Sequence, residues 1–225
     1  MADTVPGVVI IRNILTLDEQ LKLIDIVERK GNLMTNEGKW NFFGIRGRNF
    51  CGLTKYPTED AIFLQECAQR FKVDAEKLDK TLVWSNVTHM LSLWYPNIKG
   101  IGWHKDGFGG NDGDEGAPVY SLTLGNSCIF EYKLVDDYYL NEYKQNSIEV
   151  ELHSGDIIIF GGPQRLMLHR VKEIKPNSFK KLENFNARIN LTFRTCTDFN
   201  DDMEANYQTE VYTKKLSEKW TKNKI

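Results

Sequence analysis

The chain is poor in the residues that build metal knuckles and redox pairs. It has four cysteines in 225 residues, Cys51, Cys67, Cys128 and Cys196, and no two of them form a C-x-x-C pair. A zinc knuckle or a dithiol centre is thereby excluded, and the four read as reduced or buried thiols. Long hydrophobic runs are also lacking. The apolar stretch in MADTVPGVVIIRN is short and carries no cleavage-type signal, and no segment is long enough to span a bilayer. The expectation is an intracellular protein, cytoplasmic or nuclear, with no membrane association, and a monomer. Charge of one sign is missing too: the net charge is -2 and the pI about 6.1. Any nucleic-acid contact must come from a local basic patch rather than from a whole-molecule field. Internal repeats and interdomain linkers are absent.

What is present is ordinary for a globular domain. The composition, 41% hydrophobic and 27% charged, argues against global disorder, and the length suits one domain with a buried core. Thr16 with Glu19 forms a capping-box pattern before Leu17, Leu21, Ile24 and Val27, which repeat at helical spacing, and Gly31 follows as a stop signal. A second helix is predicted from Thr58, carrying Ile62, Phe63, Cys67 and Phe71. The segment between them is rich in Gly, Asn and aromatics and reads as loop and short strand.

From about Leu82 the pattern changes to short β-rich runs: VTHMLSLWYP, PVYSLTLG, SCIFEYKL, SIEVEL, GDIIIFGG, RLMLHRV and ARINLTFRT. This predicts an α+β, mainly β fold: a double-stranded β-helix, or jelly roll, with N-terminal helices packed on one face. Residues 1–225 form a single domain in this reading, with helices and a substrate lid in 1–80, the jelly-roll core in 81–197 and a polar tail in 198–225. Two inserts interrupt the strands, the acidic GFGGNDGDEGAP and the polar, aromatic DDYYLNEYKQN. The tail reads as a solvated helix or frayed end.

Only four histidines are available, His89, His104, His153 and His169. His104 and Asp106 form H-x-D after an aromatic strand, and His169 sits late in the strand RLMLHRV. Two imidazoles and one carboxylate are the ligand set of a facial non-haem iron(II) triad, which leaves three coordination positions open. By itself H-x-D with a distant histidine recurs by chance, and a strand histidine is more often a core residue. His89 and His153 have no carboxylate at the same spacing and read as structural. A second pattern sharpens the choice. In RINLTFR, Arg188, Asn190, Thr192 and Arg194 alternate with Ile189, Leu191 and Phe193, so one strand face is polar and the other apolar. If the polar face is buried, its guanidinium groups need partners, and a small dicarboxylate would supply them. The alternative is a solvent-facing basic ladder.

Taken in order, the Tyr of LSLWYP, then WHKD, PVYSLTLG, GDIIIFGGPQRLMLH and RINLTFR make the chain resemble the AlkB family of dioxygenases, over about Leu91 to Thr195. The resemblance implies Fe(II), 2-oxoglutarate and dioxygen as cofactor and cosubstrates, with His104, Asp106 and His169 as catalytic metal ligands. It implies that Tyr95 hydrogen-bonds 2-oxoglutarate, that Arg188, assisted by Asn190, pairs with its distal carboxylate, and that Arg194 lies beside the carboxylate that chelates iron. Leu93 stands where the family has an asparagine, with Asn86 or Asn97 as substitutes. Gly107 and Phe108 follow the H-x-D where repair members carry an acidic residue.

The implied activity is oxidative demethylation of N-alkylated bases in methylated DNA or RNA. The segment before the β core places Trp40, Phe42, Phe43, Phe50 and Tyr56 beside Arg46, Arg48 and Lys55, a mixture suited to a stacked base and nearby phosphates. Trp40, Phe43, Arg46, Tyr56 and Phe108 are the candidate substrate contacts; the alternative is that these aromatics only pack beneath a loop. The acidic Asp112, Asp114 and Glu115 would repel phosphate if their loop closed over the site. Two other functions compete: the same chemistry on a protein side chain or small metabolite, and a jelly-roll binding module without catalysis.

Overall fold

The computed structural model describes residues 3–33, 42–43, 46–82, 86–96, 98–106, 117–137 and 142–195; side chains are described from residue 5 to 29 and again from residue 52 onward within those ranges. Two helices are present among them, α1 (Leu17–Leu33) and α2 (Thr58–Leu78). The strands are β1 (Asp3–Val5), β2 (Val8–Ile11), β3 (Phe42–Phe43), β4 (Arg46–Gly52), β5 (His89–Tyr95), β6 (Ile101–His104), β7 (Val119–Gly125), β8 (Cys128–Lys133), β9 (Val135–Asp137), β10 (Glu142–Tyr143), β11 (Ile148–Leu152), β12 (Ile157–Phe160), β13 (Leu168–Ile174) and β14 (Arg188–Arg194).

The Thr16 capping box forms as predicted. The Thr16 amide donates to the Glu19 carboxylate at 2.8 Å, and the Glu19 amide donates back to the Thr16 hydroxyl at 3.3 Å. Helix α1 nevertheless runs through Gly31 to Leu33. A helical glycine costs only about 1 kcal/mol against alanine, and the buried stripe Leu23, Ile24, Ile26 and Val27 outweighs that.

The strands form an eight-stranded sheet, ordered β1-β2-β12-β7-β14-β5-β4-β3, and a four-stranded sheet, ordered β11-β8-β13-β6, with β9 and β10 as a separate pair. Every pairing among them is antiparallel. This is the expected jelly roll. The segment before residue 80 contributes four strands to the large sheet, β1 to β4, as well as the two helices. Residues of β4, expected as loop and short strand, form a seven-residue strand.

Two cores follow from the layering. One lies between the helices and the outer face of the large sheet, with Leu23, Leu64, Phe71, Leu122, Ile159, Ile189, Leu191 and Phe193 among its residues. The other lies between the two sheets and includes Leu91, Leu93, Tyr95, Phe130, Ile158, Phe160 and Val171. Strand β12, covered on both faces, is IIIF and wholly buried. Strand β14 is equally buried, yet only its helix-facing residues are apolar. The row Arg188, Asn190, Thr192 and Arg194 therefore points between the sheets, which excludes a solvent-facing ladder.

Candidate metal centre

Strands β6 and β13 are neighbours in the small sheet, and His104 pairs directly with His169 in their register. Cross-strand pairing brings side chains from distant sequence onto one face, and the two rings lie 4.3 Å apart at their centroids. Asp106 is two residues beyond the end of β6. Its Oδ1 stands 3.8 Å from the Nε2 of each histidine. The donor atoms of His104, Asp106 and His169 all fall within 4.8 Å of one another, a separation one ion can bridge, and they are the only such group of three among the described residues.

The imidazoles are oriented by their other nitrogens. His104 Nδ1 lies 2.8 Å from the Gly102 carbonyl oxygen and His169 Nδ1 lies 3.1 Å from that of Met167. Each carbonyl calls for a proton on Nδ1, so Nε2 is left as a lone-pair donor toward Asp106, as a metal ligand requires. Phe130 stacks on His169 at 5.5 Å, and Phe160 lies 5.2 Å from it. Burial pushes the His169 imidazole down to about 4, against the opposing pull of Asp106, so the ring is neutral at physiological pH.

Burial alone would raise the Asp106 carboxyl. Arg194 first, then His169, His104 and Arg165, hold it well below the usual carboxylate range. The Arg194 guanidinium meets Asp106 Oδ2 at 2.7 Å, leaving Oδ1 toward the histidines. Arg165 donates to the Asp106 main-chain oxygen. Asp106 is thus fixed at both its side chain and its backbone. The family resemblance implies a place for Arg194 beside the cosubstrate; its partner in the structure is the Asp106 carboxylate. Nothing in the sequence spacing pointed to Arg165.

At the other end of the β14 row, Arg188 is 1% exposed. Its Nη2 donates to the Thr123 hydroxyl at 3.1 Å, and its Cζ lies 5.1 Å from the centroid of the Tyr95 ring, its cross-strand partner. Cys128, itself buried, stands beside it. Nε and Nη1 of Arg188 have no hydrogen-bond partner although both are buried. A guanidinium in that condition is costly, and a carboxylate of a small diacid meets the need directly. The turn at Gly125 allows this end of the barrel to close. Gly125 has φ of 76°, and a Cβ there would stand 2.4 Å from the Ala187 carbonyl oxygen, just before Arg188. Asn190 is fully engaged within the barrel: its amide nitrogen donates to Ser121 and to the Leu122 carbonyl, and its oxygen accepts from Thr192.

The remaining candidates divide. His153 is well exposed and lies 3.4 Å from both Glu151 and Asp156, outside the metal cluster. Asn86 gives its carbonyl to Thr195, and Leu93 is buried between the sheets. Tyr56 is corrected. It is 5% exposed and packs with α1 and α2 in the helix-side core, so it does not face the metal. The Leu53–Lys55 turn carries the chain from the sheet edge into α2 and buries Leu53 and Tyr56 together. Trp40 and Phe108, with Asn97, Gly107 and the acidic loop, lie outside the described residues, as do the side chains of Phe43 and Arg46.

His89 ends the inward face of β5, opposite Arg194 in register. Burial lowers its imidazole to about 4. The unfolded chain takes up this proton near 6.5, so the folded state loses ground as pH falls from about 6.5 to about 4, and the contribution is complete above that window. Unfolding free energies from urea titrations are expected to fall between pH 7 and pH 4 by roughly 2–3 kcal/mol more for the natural protein than for His89→Gln. Parallel pH curves for the two would refute the assignment.

The comparisons agree with this geometry. Residues 52–194 match the family model described as the 2OG-Fe(II) oxygenase superfamily. Two curated relatives from Arabidopsis thaliana, the DNA N(6)-methyladenine demethylases ALKBH1D and ALKBH1C, are 28% and 27% identical, each over 84% of this chain. The chain spans about half their length, 49% and 48%. The solved structure of OsALKBH1 superposes with a TM-score of 0.64 at 22% identity, covering 86% of this chain and 100% of that one. A Pseudomonas putida prolyl-4-hydroxylase superposes at 0.54 with 16% identity, covering 84% and 92%, and shares the fold. With two histidines and an aspartate converging on one point and a buried arginine awaiting a carboxylate, the chain belongs to the 2OG-Fe(II) oxygenase superfamily.

Proposed function

We propose that this chain is an Fe(II)- and 2-oxoglutarate-dependent dioxygenase that removes N-methyl groups from bases in DNA or RNA. The observation that carries the oxidative chemistry is the His104, Asp106 and His169 cluster on the same barrel interior as the unsatisfied Arg188. The substrate class rests on the activity named for the two plant relatives. Within this reading, residues 1–80 carry the substrate lid, 81–197 the catalytic barrel and 198–225 a polar tail, and the working protein is a monomer. Among the described residues no helix is long and apolar enough to cross a membrane.

The chain's own residues have separate tasks. His104, Asp106 and His169 would hold the metal through two imidazole nitrogens and one carboxylate oxygen. Arg194 and Arg165 keep Asp106 ionised and fixed in place. Arg188 and Tyr95 would bind and orient the far end of the diacid, and the wall formed by Phe130, Phe160 and Leu93 excludes water from the buried side of the site. Bound there, Fe(II) with 2-oxoglutarate and dioxygen supplies oxidation of a substrate C–H bond, with succinate and carbon dioxide as coproducts. A base N-methyl group oxidised in this way leaves as formaldehyde.

The test is an incubation with Fe(II), 2-oxoglutarate and oligonucleotides carrying N6-methyladenine or other N-methylated bases, as DNA and as RNA. Succinate and formaldehyde in equal amounts, with loss of the methyl mass from the oligonucleotide, are expected. Succinate formation indifferent to every nucleic acid would contradict the substrate and favour a protein side chain or metabolite.

A further inference from the structure

The outer face of the small sheet carries an aromatic and basic cluster that the reaction does not use. Strand β6 pairs Ile101 with Val171 and His104 with His169. Two residues, Gly102 and Trp103, therefore oppose Arg170 alone. This is a β-bulge, and bulges beside active sites re-aim side chains. Here the bulge directs Trp103 outward while its neighbour His104 turns toward the metal. Trp103 is 36% exposed, among the few large apolar side chains so placed. The Arg170 Cζ lies 4.8 Å and the Lys133 Nζ 5.7 Å from the indole centroid. Arg170 and Lys133 belong to β13 and β8, which both lie on one side of β6. As the edge strand, β6 has no strand on its other side among the described residues, so one flank of the indole borders no strand.

The charges separate by role. Arg170 is neutralised by Glu131, whose Oε2 accepts from the Arg170 Nε at 2.6 Å. Lys133 has no carboxylate partner among the described residues, and its positive charge remains available to an anion. Lys105, between the two ligands His104 and Asp106, reaches to within 5.9 Å of the Tyr143 ring. An indole packed by a guanidinium, one residue from a metal ligand and beside an ammonium with no carboxylate partner among the described residues, matches the chemistry of single-stranded nucleic acid: a flat base against the ring and a phosphate against the lysine.

We infer that Trp103, with Lys133, is a stacking platform for a nucleotide that flanks the one entering the metal site. This rests on the nucleic-acid reading above and adds a surface to it. Base-on-aromatic stacking tolerates any base, so the platform holds the strand and leaves the choice of methylated base to the interior.

The experiment uses the full chain loaded with Mn(II) and 2-oxoglutarate and a short fluorescein-labelled, unmethylated single-stranded deoxyoligonucleotide, with binding followed by anisotropy at several salt concentrations. Trp103→Ala is expected to weaken binding by about 5- to 100-fold, while Trp103→Phe retains most of it. Lys133→Met is expected to lower the slope of log affinity against log salt by about 0.7. If the natural protein binds and Trp103→Ala and Lys133→Met match it in affinity and salt slope, the platform is wrong and the nucleic-acid reading survives. A natural protein that binds no oligonucleotide at any salt overturns both.

Discussion

Replacing Arg188 with methionine is expected to make the ligand-free protein more stable, by about 1–3 kcal/mol, and to abolish its response to 2-oxoglutarate. Arg188 is 1% exposed, yet while its Nη2 donates to the Thr123 hydroxyl, its Nε and Nη1 are buried without partners. Contact with the Tyr95 ring offsets part of that cost, not all of it. Methionine fills a similar volume with no polar atom to desolvate. The natural protein is expected to regain the difference when the diacid binds, gaining about 3 kcal/mol at a hundredfold excess over its Kd, whereas the variant gains nothing. The KM for 2-oxoglutarate should rise by two orders of magnitude or more, since the lost partner of a buried carboxylate is worth about 2–5 kcal/mol. Thermal melts with Mn(II), with and without 2-oxoglutarate, read both effects. A variant less stable than the natural protein in the absence of the diacid would mean that Arg188 is already satisfied within the fold.

Asp106→Ala is expected to have the opposite sign. Here the chain supplies both partners, at 2.7 Å, with side chains 7% and 15% exposed for Arg194 and Asp106. Removing the carboxylate leaves Arg194 buried and uncompensated, which costs about 3–5 kcal/mol. It also removes the only anionic metal ligand, so divalent-metal affinity should fall by at least about a thousandfold, beyond the loss typical of an outer-sphere partner. The double variant Asp106→Ala, Arg194→Met separates the two roles. It is expected to recover most of the stability and none of the metal affinity. Recovery of neither would show that Asp106 acts on the fold through other contacts, such as the main-chain hydrogen bond from Arg165.

The difference between these two arginines explains what the sequence could and could not reveal. The alternation of RINLTFR shows that four polar residues share a face, because strand geometry has period two, and the structure buries that face between the sheets. Periodicity does not show which carboxylate each guanidinium meets. Arg194 meets Asp106 only because β14 and the end of β6, far apart in sequence, are brought together by the roll. The H-x-D and the later histidine were legible as residue types of a metal site, and their cross-strand pairing supplies the convergence that spacing alone left open. Arg165 was missed because its role is a hydrogen bond to a main-chain oxygen, which leaves no pattern. Tyr56 was misplaced because a mixture of aromatic and basic residues does not reveal which side of a sheet each side chain takes. The Leu53–Lys55 turn sends it under the helices. The strand Val8–Ile11 leaves no clear pattern for a related reason: it is short, and what makes it a strand is its pairing with β12, nearly 150 residues later.

The most direct test is a calorimetric titration of Mn(II) into the natural protein and into His169→Ala, each followed by 2-oxoglutarate. One metal ion per chain is predicted for the natural protein, with diacid binding that requires the metal. For His169→Ala, whose thermal melt should show a folded domain, metal binding is predicted to be lost. Equal metal affinity in the two proteins, or diacid binding that ignores the metal, would contradict a centre built from His104, Asp106 and His169.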